Sequence, residues 1–401
     1  MNHATQAASV SVDCLSTLDE LRALRPEWDD LLKEAESASI FQTWEWVTTW
    51  YEHFGTDKSL LVLTVRDAAG RLVGLAPFSL SVSGGCRFLY LLGRKVTLTE
   101  YFDATLHPDV AEVAVEAIFD AWHRRANEWN LLRLPVSEGD GPFIRHVRRL
   151  AAGYGYRIYA EAREAASRPL PPSWEGFHRT LKKSMKDNVN NYVNRLRREG
   201  HDERLVIVED PAELDVTLDT FFELHRRRAE ADLGVPHLDR FATPESRRFF
   251  RAVAGRLLER GKIWPCLLYV DGTPVAAQIC LLQGGRFYLY LSGYDPAWAR
   301  YGVMLVLSRR CIERAIAFGY RELDLLRGVD QVKTRWGCQP RALVDLTLSN
   351  SRLRSRLCFN LYRLNRRRFW LMRRYRRWKT SRASLPRSAR NATNNDAPRK
   401  P

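Results

Sequence analysis

One stretch narrows the folds open to this chain more than any other: residues 286–337, RFYLYLSGYDPAWARYGVMLVLSRRCIERAIAFGYRELDLLRGVDQVKTRWG. Phe287 to Leu291 is aromatic and aliphatic throughout, with Gly284-Gly285 before it and Gly293 after, which is strand chemistry. Gly302 opens a segment whose Leu305, Ile312, Ala315, Ile316 and Phe318 fall at roughly helical spacing, stopped at Gly319. Arg321 to Leu326 alternates charged and apolar residues as a second short strand. Strand, loop, helix and strand make a βαβ unit and so predict a parallel pair. The unpaired N–H groups at the helix start suit a pyrophosphate, and Arg300, Tyr301 and Gly302 sit at that junction. The alternative is an ordinary turn with a surface arginine. There is no GxGxxG and no GxxxxGK[ST], so neither a dinucleotide fold nor a P-loop is supported.

Upstream, Trp264–Val270 and Pro274–Leu282 flank Asp271-Gly272-Thr273, a hairpin. A meander of three antiparallel strands thus leads into the βαβ unit. The first half reads similarly. Leu18–Glu34 carries a helical apolar stripe, and the tryptophans of Phe41–Phe54 (Trp44, Trp46, Trp50) read as core. A hairpin turns at Asp67–Gly70. A strand at 87–92, a helix at 110–122, a strand at 131–134, a helix at 143–152 and a strand at 156–160 follow. Residues 161–173, small, charged and then proline-rich, read as a lobe boundary. Phe177–Glu199 is a long helix with one apolar face and one basic face. The basic face is either solvated or a grip for phosphates or RNA. His225, beside three arginines, reads as a surface residue.

At 401 residues the chain is long enough for two cored domains. Its seven cysteines are scattered without a CxxC. That argues against a disulfide scaffold or a zinc site and for a reducing compartment. No apolar run is long enough to span a membrane, and residues 1–14 lack the basic start and apolar core of a secretory signal. The formal net charge is +16, but residues 351–401 alone hold 17 basic residues and one acid, Asp396. The first 350 residues are formally neutral, so a nucleic-acid-coating body is not supported. Ser351–Lys379 combines arginines with Leu, Phe and Trp at helical spacing, the pattern of an interfacial membrane helix. Base-stacking on nucleic acid and docking on an acidic protein are its rivals. Residues 380–401 read as disordered.

The segments YLSGYDPAWARYGVMLVL and LDLLRGVDQVKTRWG resemble the GNAT-type acyltransferase domain of bacterial polysaccharide-associated proteins. These are the acetyltransferase-like proteins of cellulose and exopolysaccharide biosynthesis, related to Fem-type peptidyltransferases. The similarity reaches upstream to FQTWEWVTTWYEHFG and covers most of residues 15–350. It implies an α/β (α+β) architecture of two tandem GNAT-like lobes, each a mixed, largely antiparallel sheet flanked by helices, plus a basic C-terminal helix. The expected divisions are an amino-side lobe at 15–160, a linker and basic helix at 161–203, a GNAT acyltransferase lobe at 204–350, a basic amphipathic helix at 351–379 and a tail at 380–401. The resemblance further implies an acyl-CoA co-substrate such as acetyl-CoA, no metal, and a sugar or cell-envelope precursor as acceptor. It also implies a cytoplasmic site, peripheral at the inner membrane. Leu289 and Leu291 would line the pantetheine arm, and Arg300, Tyr301 and Gly302 would meet the pyrophosphate. The chain departs from the common Q/R-x-x-G-x-G/A loop, because Gly302 is followed by Val303 and Met304.

Acyl transfer needs a polarised donor carbonyl, a positioned nucleophile and a path for a proton. Ser292 and Tyr294, at the end of the first strand, can protonate the leaving thiolate or orient the acceptor. Asp324, a carboxylate in an apolar strand, is either a general base with a raised pKa or a structural acid bonded to backbone or arginine. Glu100, Tyr101 and Asp103 form an acidic-aromatic loop that either faces the acceptor cleft or is a solvated turn. Asp330, Lys333, Arg335 and Trp336 either hold an acceptor phosphate and sugar ring or close the lobe as a salt-bridged loop. A Fem-like transferase using charged tRNA and a non-catalytic scaffold of polysaccharide synthesis are the alternative functions.

Overall fold

A computed structural model describes residues 9–35, 38–94, 98–231 and 237–383, with the side chains of 370 and 373–383 excepted. Thr97 and nearly all of the 380–401 tail lie outside the described residues. The amino-side elements are β1 (Val10–Leu15), α1 (Leu18–Ala23), α2 (Arg25–Glu34), α3 (Trp44–Phe54), β2 (Ser59–Asp67), β3 (Leu72–Ser83), β4 (Cys86–Leu91), β5 (Thr105–Leu106), α4 (Ala111–Arg124), β6 (Leu131–Glu138), α5 (Pro142–Gly153) and β7 (Arg157–Pro169). The carboxyl-side elements are α6 (Trp174–Thr180), α7 (Lys183–Arg198), β8 (Glu203–Ile207), α8 (Pro211–Glu230), α9 (Pro244–Leu258), β9 (Ile263–Val270), β10 (Thr273–Gln283), β11 (Arg286–Tyr294), α10 (Val303–Ala317), β12 (Glu322–Arg327), α11 (Gln331–Arg335), β13 (Gln339–Ser349) and α12 (Leu353–Ala383).

One sheet runs through the molecule in the order β1-β2-β3-β4-β6-β13-β7-β12-β11-β10-β9-β8, with β5 paired to β3. Its halves follow one plan. The antiparallel run β1-β2-β3-β4 matches β8-β9-β10-β11, and each run then meets a parallel partner, β6 or β12. The last strands are exchanged. β7, from the amino-side half, closes the carboxyl-side lobe against β12, and β13 closes the amino-side lobe against β6. The exchanged strands pair antiparallel at the centre, from Gln339 opposite Ser167 to Ser349 opposite Arg157.

Residues 161–169, read as linker from their alanines and charges, are therefore the end of a central strand. Alanine has little intrinsic strand preference, but Ala165 and Ala166 are fully buried where β7 is paired on both edges. The tryptophans of α3 are buried as expected, Trp46 and Trp50 among the largest core side chains. Helices α3, α8 and α9 pack in the same apolar cluster on one face of the sheet. α7 and α10 pack in a second cluster with the strands of the carboxyl-side half.

Cys86 and Cys358 are joined as a disulfide that ties α12 to β4, against the expectation from the scattered cysteines. The two are 272 residues apart in sequence, and spacing carries no sign of their meeting.

Candidate functional site

The parallel register of β11 and β12 is short. Arg286, Phe287 and Tyr288 face Glu322, Leu323 and Asp324, and pairing stops there. Beyond that point the strands part, and their ends line a cavity of about 620 Å³ together with the start of α10 and the 326–336 segment. Leu289, Leu291, Ser292, Tyr294 and Gly302 line it, as do Asp330, Lys333, Arg335, Trp336 and, from the other lobe, Glu100. Most of the residues singled out in the sequence thus converge on one space.

Two glycines shape its walls. A Cβ on Gly293 would lie 2.3 Å from the His225 backbone nitrogen, so only glycine lets α8 cross β11 there. Gly302 has φ +58° and caps α10 without a side-chain bond. The first turn of α10 holds no acid, and the N–H groups of Val303 and Met304 find no partner among the described residues. Such a helix start favours an anion. Arg300 and Tyr301 do not line the cavity. Tyr301 is buried with its hydroxyl bonded to Glu199 and His201, and Arg300 is mostly exposed, its guanidinium lying over the Tyr301 ring. The short 3-10 turn Pro296–Tyr301 points both side chains away from the splay.

The cavity's electrostatics are cationic. Glu100 is buried and bridged by Arg240 and Arg327; burial would raise its pKa, but the two guanidiniums outweigh that and hold it below the usual range. Among the described residues, Arg228 and Lys333 have no carboxylate within ion-pair distance. Arg228 donates to Ser292 Oγ at 2.6 Å and lies 5.6 Å from the Tyr294 ring centre. Lys333 Nζ donates to the carbonyls of Leu326 (3.2 Å), Arg327 and Gly328 (3.1 Å), so it supplies charge more than free donors. Burial lowers the pKa of both; for Lys333 the charges of Asp330, Glu100 and Asp324 oppose that shift without cancelling it. His237 also lines the cavity; its Nε2 is buried without a partner among the described residues, and burial, then Arg228, hold it down to about 3. Trp336 is buried, 3% exposed, so it forms wall rather than a free stacking surface.

Asp324 does not line this cavity. It is fully buried, accepting from Tyr101 O–H (2.8 Å), Leu326 N–H (2.7 Å) and Arg341 (2.9 Å). Burial raises its pKa, opposed chiefly by Arg341. As the last residue of the parallel register it points its carboxylate into the interface between the lobes. The bond to Leu326 N–H secures that residue at φ +65°, on the cavity wall. The acidic-aromatic loop is likewise divided. Glu100 enters the cavity, Tyr101 meets Asp324, and Asp103 faces a second cavity of about 870 Å³ in the amino-side lobe.

His225 is not a surface residue. It is fully buried, with Nδ1 on Ser292 O at 2.8 Å and Nε2 receiving Arg240 N–H at 3.3 Å. Phe221, His225 and Arg228 step by 4 and 3 along α8, so the helical phase that buries Phe221 also turns Arg228 inward. That spacing is the signal by which Arg228 could have been found. Cys266, Cys280 and Cys311 come together from β9, β10 and α10, their sulfurs within 4.8 Å of one another and fully buried; sequence scatter hid this cluster.

Residues 183–334 match the family model for the Acetyltransferase (GNAT) domain. No curated protein sequence matches the chain. Among solved structures, the crystal structure of FemX is similar at TM-score 0.60 and 12% identity, over 84% of this chain and 96% of that one. The structure of L-PGS from Bacillus licheniformis is similar at TM-score 0.50 and 14% identity, over 84% and 95%. At such identities the likeness is one of fold. The family match covers the splayed pair, the uncapped helix start and the cationic wall together, and residues 183–334 are a GNAT-type acyltransferase domain.

Proposed function

We propose that the protein transfers an acyl group from a coenzyme A thioester, acetyl-CoA in the simplest case, to an amine or hydroxyl of a sugar or cell-envelope precursor such as one used in exopolysaccharide or cellulose synthesis. The observation that carries this reading is the break in the β11–β12 register after Tyr288 and Asp324, opening a slot beside an uncapped helix start. The diphosphate of the donor sits on the Val303 and Met304 N–H groups, and its thiol arm runs along Leu289 and Leu291. Backbone N–H groups freed on β11 polarise the carbonyl. The acceptor attacks, a C–N or C–O bond forms and the C–S bond breaks. The acceptor's proton leaves to solvent, and the thiolate takes one from Tyr294, which regains a proton from solvent and whose hydroxyl makes no protein hydrogen bond among the described residues.

Arg228, Lys333 and Arg335 suit an acceptor bearing phosphate or carboxylate, since Arg228 and Lys333 are desolvated and make no ion pair among the described residues. Asp324 acts in this scheme by holding Leu326 and the interlobe contact, the structural one of the two roles that the sequence left open beside a general base. Calorimetry with acetyl-CoA, followed by mass spectrometry of a panel of amino and hydroxyl acceptors, tests the proposal. Absence of thioester binding would remove it.

A second reading is favoured by α7. Its Met185, Asn188 and Tyr192 border the cavity, while Lys183, Arg195, Arg197 and Arg198 are exposed on the same helix. A charged tRNA is a donor large enough to use both. Turnover that requires intact aminoacyl-tRNA and is abolished by ribonuclease would select it over the thioester.

A further inference from the structure

Helix α12 is the most cationic element of the molecule and plays no part in the acyl-transfer site. Its two faces differ sharply. The inner face carries Ser355, Cys358 and Phe359, all buried, and Tyr362 and Arg366, partly buried. The Cys86–Cys358 disulfide, the Arg366–Glu161 ion pair and a bond from Arg354 to Gly85 O fasten this face to β4, to the turn before it and to the central strand β7. The outer face carries Leu353, Leu357, Leu361, Leu364 and Leu371 at 75%, 56%, 57%, 58% and 67% exposure. They recur every three, four or seven residues and form one stripe opposite the docked face. Monomeric proteins seldom expose a continuous apolar row of this kind.

The chemistry around the stripe specifies what covers it. Residues 351–372 hold seven arginines and no acid, and the sequence has no acid between Asp345 and Asp396. Arg356, Arg363, Arg367 and Arg368 are exposed on the helix surface between docked face and stripe or within the stripe. A folded protein groove would have to supply both a leucine trough and dense acidic rims. A bilayer with anionic headgroups supplies both without special shape: acyl chains for the leucines, phosphates for the arginines, whose long stems reach up to the headgroups. No described helix is long and apolar enough to cross a membrane, so the contact is one of lying along the surface. The helix is also clamped to the lobe through its inner face. Its orientation therefore sets the orientation of the whole protein.

We infer that α12 is an in-plane anchor that seats the protein on an anionic lipid bilayer through the leucine stripe, with the lobes held rigidly above it. The full chain is tested by flotation with vesicles of phosphatidylcholine alone and with 30% phosphatidylglycerol. Expected is binding to the anionic vesicles at least tenfold tighter than to the neutral ones, weakened by 0.5 M NaCl. A Leu357→Gln, Leu361→Gln, Leu364→Gln variant should lose at least tenfold in vesicle binding while keeping its circular dichroism and melting temperature, because these side chains touch nothing in the fold's core. Arg356→Gln, Arg363→Gln, Arg367→Gln in one chain should erase the preference for anionic lipid and leave the residual apolar binding. Equal binding to both vesicle types, or full binding by the leucine variant, overturns the proposal. So does failure to float together with tight retention by an acidic protein or by RNA, which would assign the stripe to that partner instead.

Discussion

In the carboxyl-side lobe the helix after the meander starts at Gly302, with no acid in its first turn. In the amino-side lobe the corresponding helix, α4, starts beside Asp109 and Glu112. The strands leading to both helices are arranged alike, and β4 parts from β6 after Tyr90 and Arg133 just as β11 parts from β12. What fills the gap differs. In the amino-side lobe the chain itself returns: Phe102 N–H bonds Val136 O, Ser137 Oγ donates to Phe102 O, and β5 pairs with β3. The remaining cavity there is lined by Glu34, Asp103, Asp109, Glu112 and Glu138 among others. In the carboxyl-side lobe the chain turns away after Tyr294, and the gap stays open among cations. One strand plan thus supports two sites of opposite charge. The sheet provides a gap, and the residues at the following helix start decide whether an anion can use it.

The comparison is broken most severely by closing the open gap. Leu289→Trp should lower acetyl-CoA affinity at least 100-fold, about 3 kcal/mol, in calorimetry, with the melting temperature little changed. Glu112→Lys, in the other cavity, should leave turnover within about twofold if that lobe takes no part in donor binding. Asp324→Ala comes next. It takes the acceptor from Tyr101 O–H and leaves Arg341 with Glu138 alone at the lobe interface, so chemical denaturation should show a loss of about 3 kcal/mol. Donor affinity measured on the folded fraction should hold, whereas a residue serving only as base would leave stability intact. Arg228→Leu should lower kcat/KM about 30-fold, roughly 2 kcal/mol, mostly through KM for an anionic acceptor, with partial recovery in Arg228→Lys. An unchanged KM would show that Arg228 meets no substrate charge.

Much of this was legible from the chain. The hairpin at Asp271-Gly272, the strand that runs into Gly293 and the helix opened by Gly302 are local events, written in turn chemistry and apolar period, and they place the gap. Asp330, Lys333 and Arg335 reach the cavity from the segment that follows β12, and Glu100 reaches it from the loop between β4 and β5 of the other lobe. What could not be read is long-range. The exchange of β7 and β13 makes a strand of an alanine-rich segment that has little strand preference of its own. The Cys86–Cys358 link and the triple-cysteine cluster depend on which strands lie side by side. Asp324 was picked out correctly as a buried acid, but its partners Tyr101 and Arg341 lie 223 and 17 residues away, and they turn a candidate base into a tie between lobes.

The smallest expected effect concerns the acidic cavity and has a sign that can be worked out. Burial first, then the Glu138 charge, push Asp103 up to about 8, whereas an unfolded aspartate titrates near 4. The folded protein therefore prefers Asp103 protonated. Below about pH 4 both states are protonated and Asp103 costs nothing. As pH rises from about 4 to about 8 the unfolded chain gives up the proton and the native state does not, so stability falls across that window and levels off above it. Asp103→Asn keeps a carbonyl for the Ala104 N–H that Asp103 now accepts at 2.9 Å and removes the charge. It should stabilise the protein at pH 8.5 by about 1 to 2 kcal/mol, allowing for partial exposure, and hardly at all at pH 4.5. Melting curves of both chains at the two pH values measure the difference. Equal shifts at both would mean that Asp103 ionises freely at the amino-side cavity, and the contrast between an acidic gap and a cationic one would then rest on Glu112 and Asp109 at the α4 start alone.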